Sequence, residues 1–296
     1  MNRETRQGLW ELARLHKFGR GTLLMVWPSL WAITMLGKEL QLSLARFLYL
    51  STWFFLGNVL VHGLVCTWND ICDVDFDRKV ERCRNRPLPS GRVSLSTAWL
   101  FRGFQLLLSL ALFWTTIVGL APVHLIYPLL KRVTYRPQAW LGLAMNWGWV
   151  VAWVSIADKS DWLLVGIMLA GAAAWTIVYD TIYALQDKKD DLIANVKSTA
   201  LLFDSYVKPV LSIFSVFFVS CLLRVGVRHA QGLPYFCAVG GVGVHLAWQL
   251  WTLDDESEGD CAAKFRANSD VGMLLWLGMV VDWASADSVQ FALLQN

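Results

Sequence analysis

Charge is scarce in this sequence. Of its 296 residues, 17% are Asp, Glu, Lys or Arg and 56% are hydrophobic, whereas an ordinary soluble domain carries about 25% charged residues. With a mean hydropathy of +0.44, that composition excludes a soluble globular domain. The net charge is only +3, and no basic stripe interleaved with aromatics is present, so nothing points to nucleic acid. The six cysteines, Cys66, Cys72, Cys83, Cys221, Cys237 and Cys261, show no CxxC spacing, which argues against a zinc site and against a disulfide framework. The N-terminal stretch lacks a short apolar core with a cleavage site, and Glu4 and Glu11 interrupt any acid-poor transit segment, so it reads as mature sequence.

Long apolar runs fill the chain instead. About 20 apolar residues cross a bilayer as a helix, and runs separated by charged or turn-forming segments predict nine spans. These fall at 21–37, 46–68, 96–117, 120–132, 139–157, 162–185, 206–226, 233–252 and 271–291. The junction of the third and fourth, Gly119 to Pro122, carries no charge, so one long broken helix is an alternative there. The expected fold is an all-α integral membrane protein, a single domain over 1–296 with a cytosolic N-terminal segment at 1–20. All but Lys38, Arg46, Lys159, Arg224 and Arg228 of the 26 Lys and Arg residues fall on the N-terminal side of the predicted membrane. The positive-inside rule therefore places that side in the cytosol, with insertion into the endoplasmic reticulum or another endomembrane as the expectation.

Acids concentrate on that same side, in two places. The first, Asn69-Asp70-Ile71-Cys72-Asp73-Val74-Asp75-Phe76-Asp77, continues the second span. At 100° per residue, Asp70, Asp73 and Asp77 fall at about 0°, 300° and 340° on one helical face, with Asn69 beside them and Asp75 opposite. The second, Asp180 to Asp191, groups Asp180, Tyr183, Asp187, Asp190 and Asp191 on one side if the helix continues. Carboxylates crowded this closely repel one another and demand a cation. Hard oxygen donors select Mg²⁺ or Ca²⁺, and Mg²⁺ bridges one or two carboxylates to phosphate oxygens. Either cluster alone is also the pattern of a solvated helix end, the lesser of the two readings; two facing clusters suit a diphosphate held between metal ions. Basic residues nearby, Arg82, Arg84, Arg86, Lys131, Arg132, Lys188 and Lys197, have the chemistry to meet phosphate oxygens, although each also serves as a topology determinant. The histidines His62, His124 and His245 lack ligand spacing and read as buried imidazoles with local partners.

On these motifs the chain resembles the UbiA-type prenyltransferases, the superfamily that includes 4-hydroxybenzoate polyprenyltransferase. The family's NDxxDxxxD motif stands here as Asn69, Asp70, Asp73 and Asp77, followed by Arg84-Asn85-Arg86-Pro87-Leu88-Pro89-Ser90-Gly91. The second motif resembles Tyr179-Asp180-Thr181-Ile182-Tyr183-Ala184, then Gln186-Asp187, Asp190-Asp191 and Lys197-Ser198-Thr199-Ala200. Weaker stretches such as Asn146-Trp147-Gly148 and Asn268 to Gly272 extend the likeness over nearly the whole length. Departures at Lys17-Phe18-Gly19-Arg20 and Asn195 set it apart from many hydroxybenzoate enzymes, and its look is that of fungal relatives that prenylate polyketide-derived phenolic acids in meroterpenoid pathways.

The resemblance implies nine helices around a central cavity, capped by the Asp-rich loops. It implies Mg²⁺-dependent transfer of a prenyl group, farnesyl being the expected one, from an isoprenoid diphosphate to a carbon of a phenolic acid acceptor. Metal ligands are expected at Asp70, Asp73, Asp77, Asp187 and Asp191. Asn69, Arg84, Lys131, Arg132, Lys188 and Lys197 are expected to bind substrate, and Asp187, Asp190 and Tyr183 to act in the chemistry. Trp147 and Trp149 are further candidates to face the allylic cation, and Arg20 or Lys17 to meet an acceptor carboxylate. Two other readings compete: a membrane terpene cyclase acting on the diphosphate alone, which needs no aromatic partner, and a polytopic transporter, which would carry its acids near the membrane midplane.

Overall fold

The computed structural model describes residues 2–17, 19, 21–194 and 196–293, with side chains for all of these except 17, 112–123, 194 and 286–293. Lys17 (as a side chain), Arg20 and Asn195 thus lie outside the description. The described residues form eleven α-helices: α1 (Arg3–Leu12), α2 (Thr22–Glu39), α3 (Leu44–Asp77), α4 (Leu95–Val133), α5 (Pro137–Ile156), α6 (Trp162–Leu185), α7 (Lys188–Ala194), α8 (Thr199–Phe203), α9 (Val207–Arg228), α10 (Leu233–Trp251) and α11 (Glu258–Leu293). Among the described residues, four segments are long and apolar enough to cross a membrane: Leu44–Asp77, Pro137–Ile156, Trp162–Leu185 and Thr199–Arg228. The protein is an all-helical integral membrane protein.

The helix starts follow local chemistry. Asn2, Ser43, Ser94 and Asp161 accept a backbone N–H three residues on, capping α1, α3, α4 and α6, which satisfies donors that a helix N-terminus leaves open. Pro137 and Pro234 occupy first-turn positions of α5 and α10, where the missing N–H costs nothing. Helix α2 is the central post: every residue from Leu24 to Gly37 is buried, as expected for a helix apolar all round.

Helix α4 is helical from end to end, yet it does not run straight. The Arg102 guanidinium stacks 4.6 Å from the centre of the Trp68 ring, and the Trp68 indole N–H donates to the Leu125 carbonyl at 3.2 Å. On a straight helix those two residues would stand about 35 Å apart. Helix α4 therefore doubles back, and both of its ends return to the acidic end of α3.

Polar side chains tie the interior together. The Asn146 amide donates to the Gly142 and Ala172 carbonyls and to Thr176 Oγ1 at 2.7, 3.1 and 2.8 Å. The Trp175 indole donates to Asn268 Oδ1 at 2.9 Å, and Asn268 in turn donates to Gln249. These bonds join α5 to α6 and α6 to α11 and α10, the kind of interhelical link that compensates for the absence of a hydrophobic drive inside lipid. At the end away from the acids, Lys38 pairs with buried Asp282 at 2.7 Å and Arg228 with Asp161. Lys38 and Arg228 are two of the five basic residues that the charge count separates from the rest. All six cysteines are free thiols.

Candidate active site

Helix α3 extends past its apolar stretch to Asp77, and its phase fixes which acids turn inward. Asp70, Asp73 and Asp77 are buried, whereas Asp75 is 80% exposed and pairs with Arg78, three residues on. Across from them, α6 ends at Leu185 and a turn at Gln186 and Asp187 precedes α7. The second acidic segment is thus two helices rather than one. Asp187 and Asp191, four residues apart across the restart, face the same space, while Asp190 accepts the Glu81 amide N–H at 2.8 Å.

Between these two sets lies a cavity of about 270 Å³. Asn69, Asp73, Asp77, Asp180, Asp187 and Asp191 line it with acid and amide groups, and Arg14, Arg82, Arg86, Lys131, Arg132 and Lys197 with basic ones. Tyr127, Tyr179, Tyr183 and Phe265 supply ring faces, and Leu24, Met25, Val65, Leu141 and Met145 form an apolar part of the wall. The feature is therefore one chamber, charged on one side and apolar on the other.

Ion pairs cross this chamber and join loop to helix. Arg82 donates through Nε to Asp187 Oδ1 at 2.8 Å and through Nη1 to the Tyr183 hydroxyl at 2.8 Å. Arg86 pairs with Asp77 at 2.9 Å, and Lys131 donates to Asp73 at 3.3 Å, where Asn69 also donates at 3.0 Å. The loop after α3 makes this possible by turning helically: Arg84 N–H bonds to the Val80 carbonyl and Arg86 N–H to that of Cys83. Residues 82 and 86 then share a side and residue 84 faces away.

Not every expected residue reaches the chamber. Arg84 is exposed and Lys188 is drawn off to Asp204 at 2.9 Å; neither lines the cavity. Asp70 is fully buried behind the wall, and its two oxygens are taken by Arg14 at 2.8 and 2.7 Å, with Arg86 at 3.5 Å. Trp149 is also sealed away, 4.9 Å from Trp153 between ring centres, and Trp147 packs beside Met25 and Val61. Arg14 went unseen in the sequence because it follows α1 and precedes the first span, far from either motif. Burial opposes the charge on Arg14, but Asp70 outweighs it and holds its pKa above the ordinary arginine value.

Asp191 is the most perturbed acid outside the spans. Burial, and after it the neighbouring Asp187 carboxylate, push its pKa up to about 7. Among the described residues no three His, Cys, Asp or Glu side chains stand close enough to form a ready metal cluster. The donor set nonetheless fits Mg²⁺, which needs only one or two carboxylates when substrate phosphates complete its shell. Among the described residues the buried Asn69 Oδ1 has no hydrogen-bond partner, and an orphaned oxygen beside Asp73 suits a hard cation or its water.

The UbiA prenyltransferase family model matches residues 25–278. A UbiA prenyltransferase of Ampulloclitocybe clavipes is 44% identical over 289 residues, covering 94% of this chain and 92% of the relative. The mitochondrial 4-hydroxybenzoate polyprenyltransferase of Rattus norvegicus is 41% identical, covering 88% of this chain and 71% of its own length. Among solved structures, a UbiA homolog from Aeropyrum pernix K1 superposes with a TM-score of 0.71 at 19% identity, over 89% of this chain and 98% of that one. A UbiA homolog from Archaeoglobus fulgidus bound to DMAPP and Mg²⁺ gives 0.67 at 17% identity, over 92% and 99%.

Proposed function

The chain belongs to the UbiA prenyltransferase family, and on that premise we propose that it transfers a prenyl group from an isoprenoid diphosphate to a ring carbon of a phenolic acid. Farnesyl is the proposed donor group and meroterpenoid assembly the proposed setting. The observation that carries the reading is the chamber itself: two facing carboxylate sets, basic side chains between them, and an apolar wall alongside. The relatives named for 4-hydroxybenzoate support an aromatic acceptor, and the archaeal homologs bound to DMAPP or GPP with Mg²⁺ support a metal-held diphosphate. The doubled-back α4 supports counting nine crossings, and the basic bias of the site end supports a cytosolic face, in the endoplasmic reticulum or another endomembrane.

Asp73 and Asp77, with Asp187 and Asp191 opposite, would hold Mg²⁺, whose contribution is to neutralise charge growing on the leaving diphosphate. Lys131, Arg132, Lys197 and Arg86 line the same walls and hold phosphate oxygens by charge-assisted hydrogen bonds. When the allylic C–O bond breaks, its electron pair leaves with the diphosphate. Tyr127, Tyr179, Tyr183 and Phe265 enclose the carbon left electron-poor and keep water from it. A π pair of the acceptor ring then forms the new C–C bond, and the ring proton leaves for a base. The departing diphosphate is the proposed base, because Asp187 is given to Mg²⁺ and to Arg82, which holds both of its oxygens; Asp190 reaches the chamber only by releasing the Glu81 amide.

The test is a membrane assay with farnesyl diphosphate and a panel of phenolic acids, read by mass spectrometry. Prenylated acid formed by the wild type, and lost with EDTA or in Asp187→Ala, is the expected result. Hydrocarbon formed from the diphosphate alone would mark a cyclase instead.

A further inference from the structure

Trp68, Cys72 and Phe76 stand one turn apart along α3, and two guanidiniums lie on that row. Arg102, from the first limb of α4, stands over the Trp68 and Trp99 rings, 4.6 and 5.4 Å from their centres. Arg132, from the returning limb, donates to the Cys72 carbonyl at 2.8 Å and stands over the Phe76 ring at 5.0 Å. Because Trp68 also donates to the Leu125 carbonyl, α3 and both limbs of α4 meet at this cleft. Arg132 belongs to the chamber wall as well; Arg102 does not.

Arg102 lacks a counter-charge. Among the described residues no carboxylate pairs with it, and its Nε is buried without a hydrogen-bond partner. Helix α4 contains no Asp or Glu, and Asp75, on this part of α3, is exposed and turned to Arg78 at 3.0 Å. Arg102 stands seven residues into α4, about 10 Å from its start, beside the exposed Trp99, a ring type that gathers at the membrane interface. A cation at that level is costly unless something anionic meets it. The two rings cover the guanidinium's faces and leave its N–H edge, a planar fork that matches a pair of phosphate oxygens.

We propose that this cleft binds an anionic phospholipid, with its phosphate on Arg102 and its chains against the exposed Trp99 and Leu125. Arg132, farther along the row, adds a second positive charge, which disfavours a headgroup that carries its own ammonium. The occupant is therefore a phosphate lipid without choline or ethanolamine, as the negative charge of a cytoplasmic leaflet supplies.

Native mass spectrometry of the full-length protein, delipidated in detergent and titrated with phosphatidylglycerol or phosphatidylcholine of the same chains, reads the site without turnover. The wild type should bind phosphatidylglycerol the more tightly. Arg102→Gln should weaken phosphatidylglycerol on the order of fivefold, the worth of one arginine at an anionic surface. Arg102→Lys keeps the charge without the planar fork; it should fall between the two, and it carries the test if glutamine is not tolerated. Arg46→Gln removes another guanidinium over a ring, that of Tyr49 at 5.4 Å, at the opposite end of α3, and should keep the wild-type preference. In lipid-free detergent Arg102→Gln should melt close to the wild type, but only the wild type should gain on adding phosphatidylglycerol. Equal affinities for the two lipids in the wild type, or the same loss in Arg46→Gln, would overturn the proposal. So would a lower melting temperature in Arg102→Gln with an undiminished gain from lipid, which marks a packing role. An equal gain from inorganic phosphate alone would make the cleft a small-anion site and overturn the lipid assignment.

Discussion

Arg14 closes both terminal nitrogens on the two oxygens of Asp70, at 2.7 and 2.8 Å across 56 residues of sequence. Arg14 sits in the left-handed region at φ 58°, uncommon for a residue with a side chain, just where the chain leaves α1. The pair makes the N-terminal segment part of the site's frame. Asp70 has no exposed surface, so its charge depends on that contact and on the longer one from Arg86.

Removing one partner of a buried ion pair strands the other charge, at a cost of about 3–5 kcal/mol. Arg14→Ala should therefore lose about 3 kcal/mol, the lower end because Arg86 remains within reach of Asp70. Thermal unfolding in detergent would show a clear fall for Arg14→Ala and almost none for Arg84→Ala, whose side chain is exposed. Equal melting temperatures would mean that the pair does not hold the segment.

The helical phase of α3 predicts opposite outcomes for two neighbouring acids. Asp77→Asn should lower turnover by about 10²–10³, the scale of losing one group that stabilises transition-state charge. Asp75→Asn, at a position 80% exposed, should stay within about twofold of the wild type. Product formation at saturating diphosphate measures both.

Asp191 gives a pH dependence with a definite sign. Its folded pKa, about 7, lies above the ordinary 3.8, so in metal-free protein its contribution to stability is full below the ordinary value and is lost as pH rises through 7. A metal ion needs the deprotonated carboxylate, so Mg²⁺ affinity should move the other way and strengthen as pH rises from 6 to 8. The rise in melting temperature produced by Mg²⁺ should accordingly be larger at pH 8 than at pH 6. Asp191→Asn should show little difference between the two.

Two glycines separate close packing from open surface. A Cβ on Gly142 would stand 2.8 Å from the Ala173 carbonyl oxygen, whereas one on Gly166 meets nothing within 4 Å. Gly142→Ala must push α5 off α6 and should cost about 1–3 kcal/mol. Gly166→Ala in α6 should be neutral or stabilise by about 0.5–1 kcal/mol through helix propensity. Unfolding in detergent orders the two variants.

Much of this molecule was already legible along the chain. The predicted span at 162–185 coincides with α6 and that at 233–252 with α10 to within one residue, because apolar length and capping residues are local properties. Helical phase likewise separated Asp75 from Asp70, Asp73 and Asp77, since the phase needs only the 3.6-residue period. Less was visible where the helix itself stops: the turn at Gln186 and Asp187 breaks the second acidic run, and Asp190 leaves the face on which a continuous helix would have placed it.

What the sequence by itself determined is which segments are helical, which side of each is polar and where charge accumulates, for these follow from composition and period. Only the tertiary structure decided which acid meets which base. Arg82 finds Asp187 across 105 residues and Lys131 finds Asp73 across 58, while Arg84 and Lys188, equally basic and equally near the motifs, do not reach the chamber. The reason is physical: a guanidinium or ammonium acts over a few ångströms, and those few ångströms are set by how α3, the doubled-back α4, α6 and α11 pack, which no local pattern records.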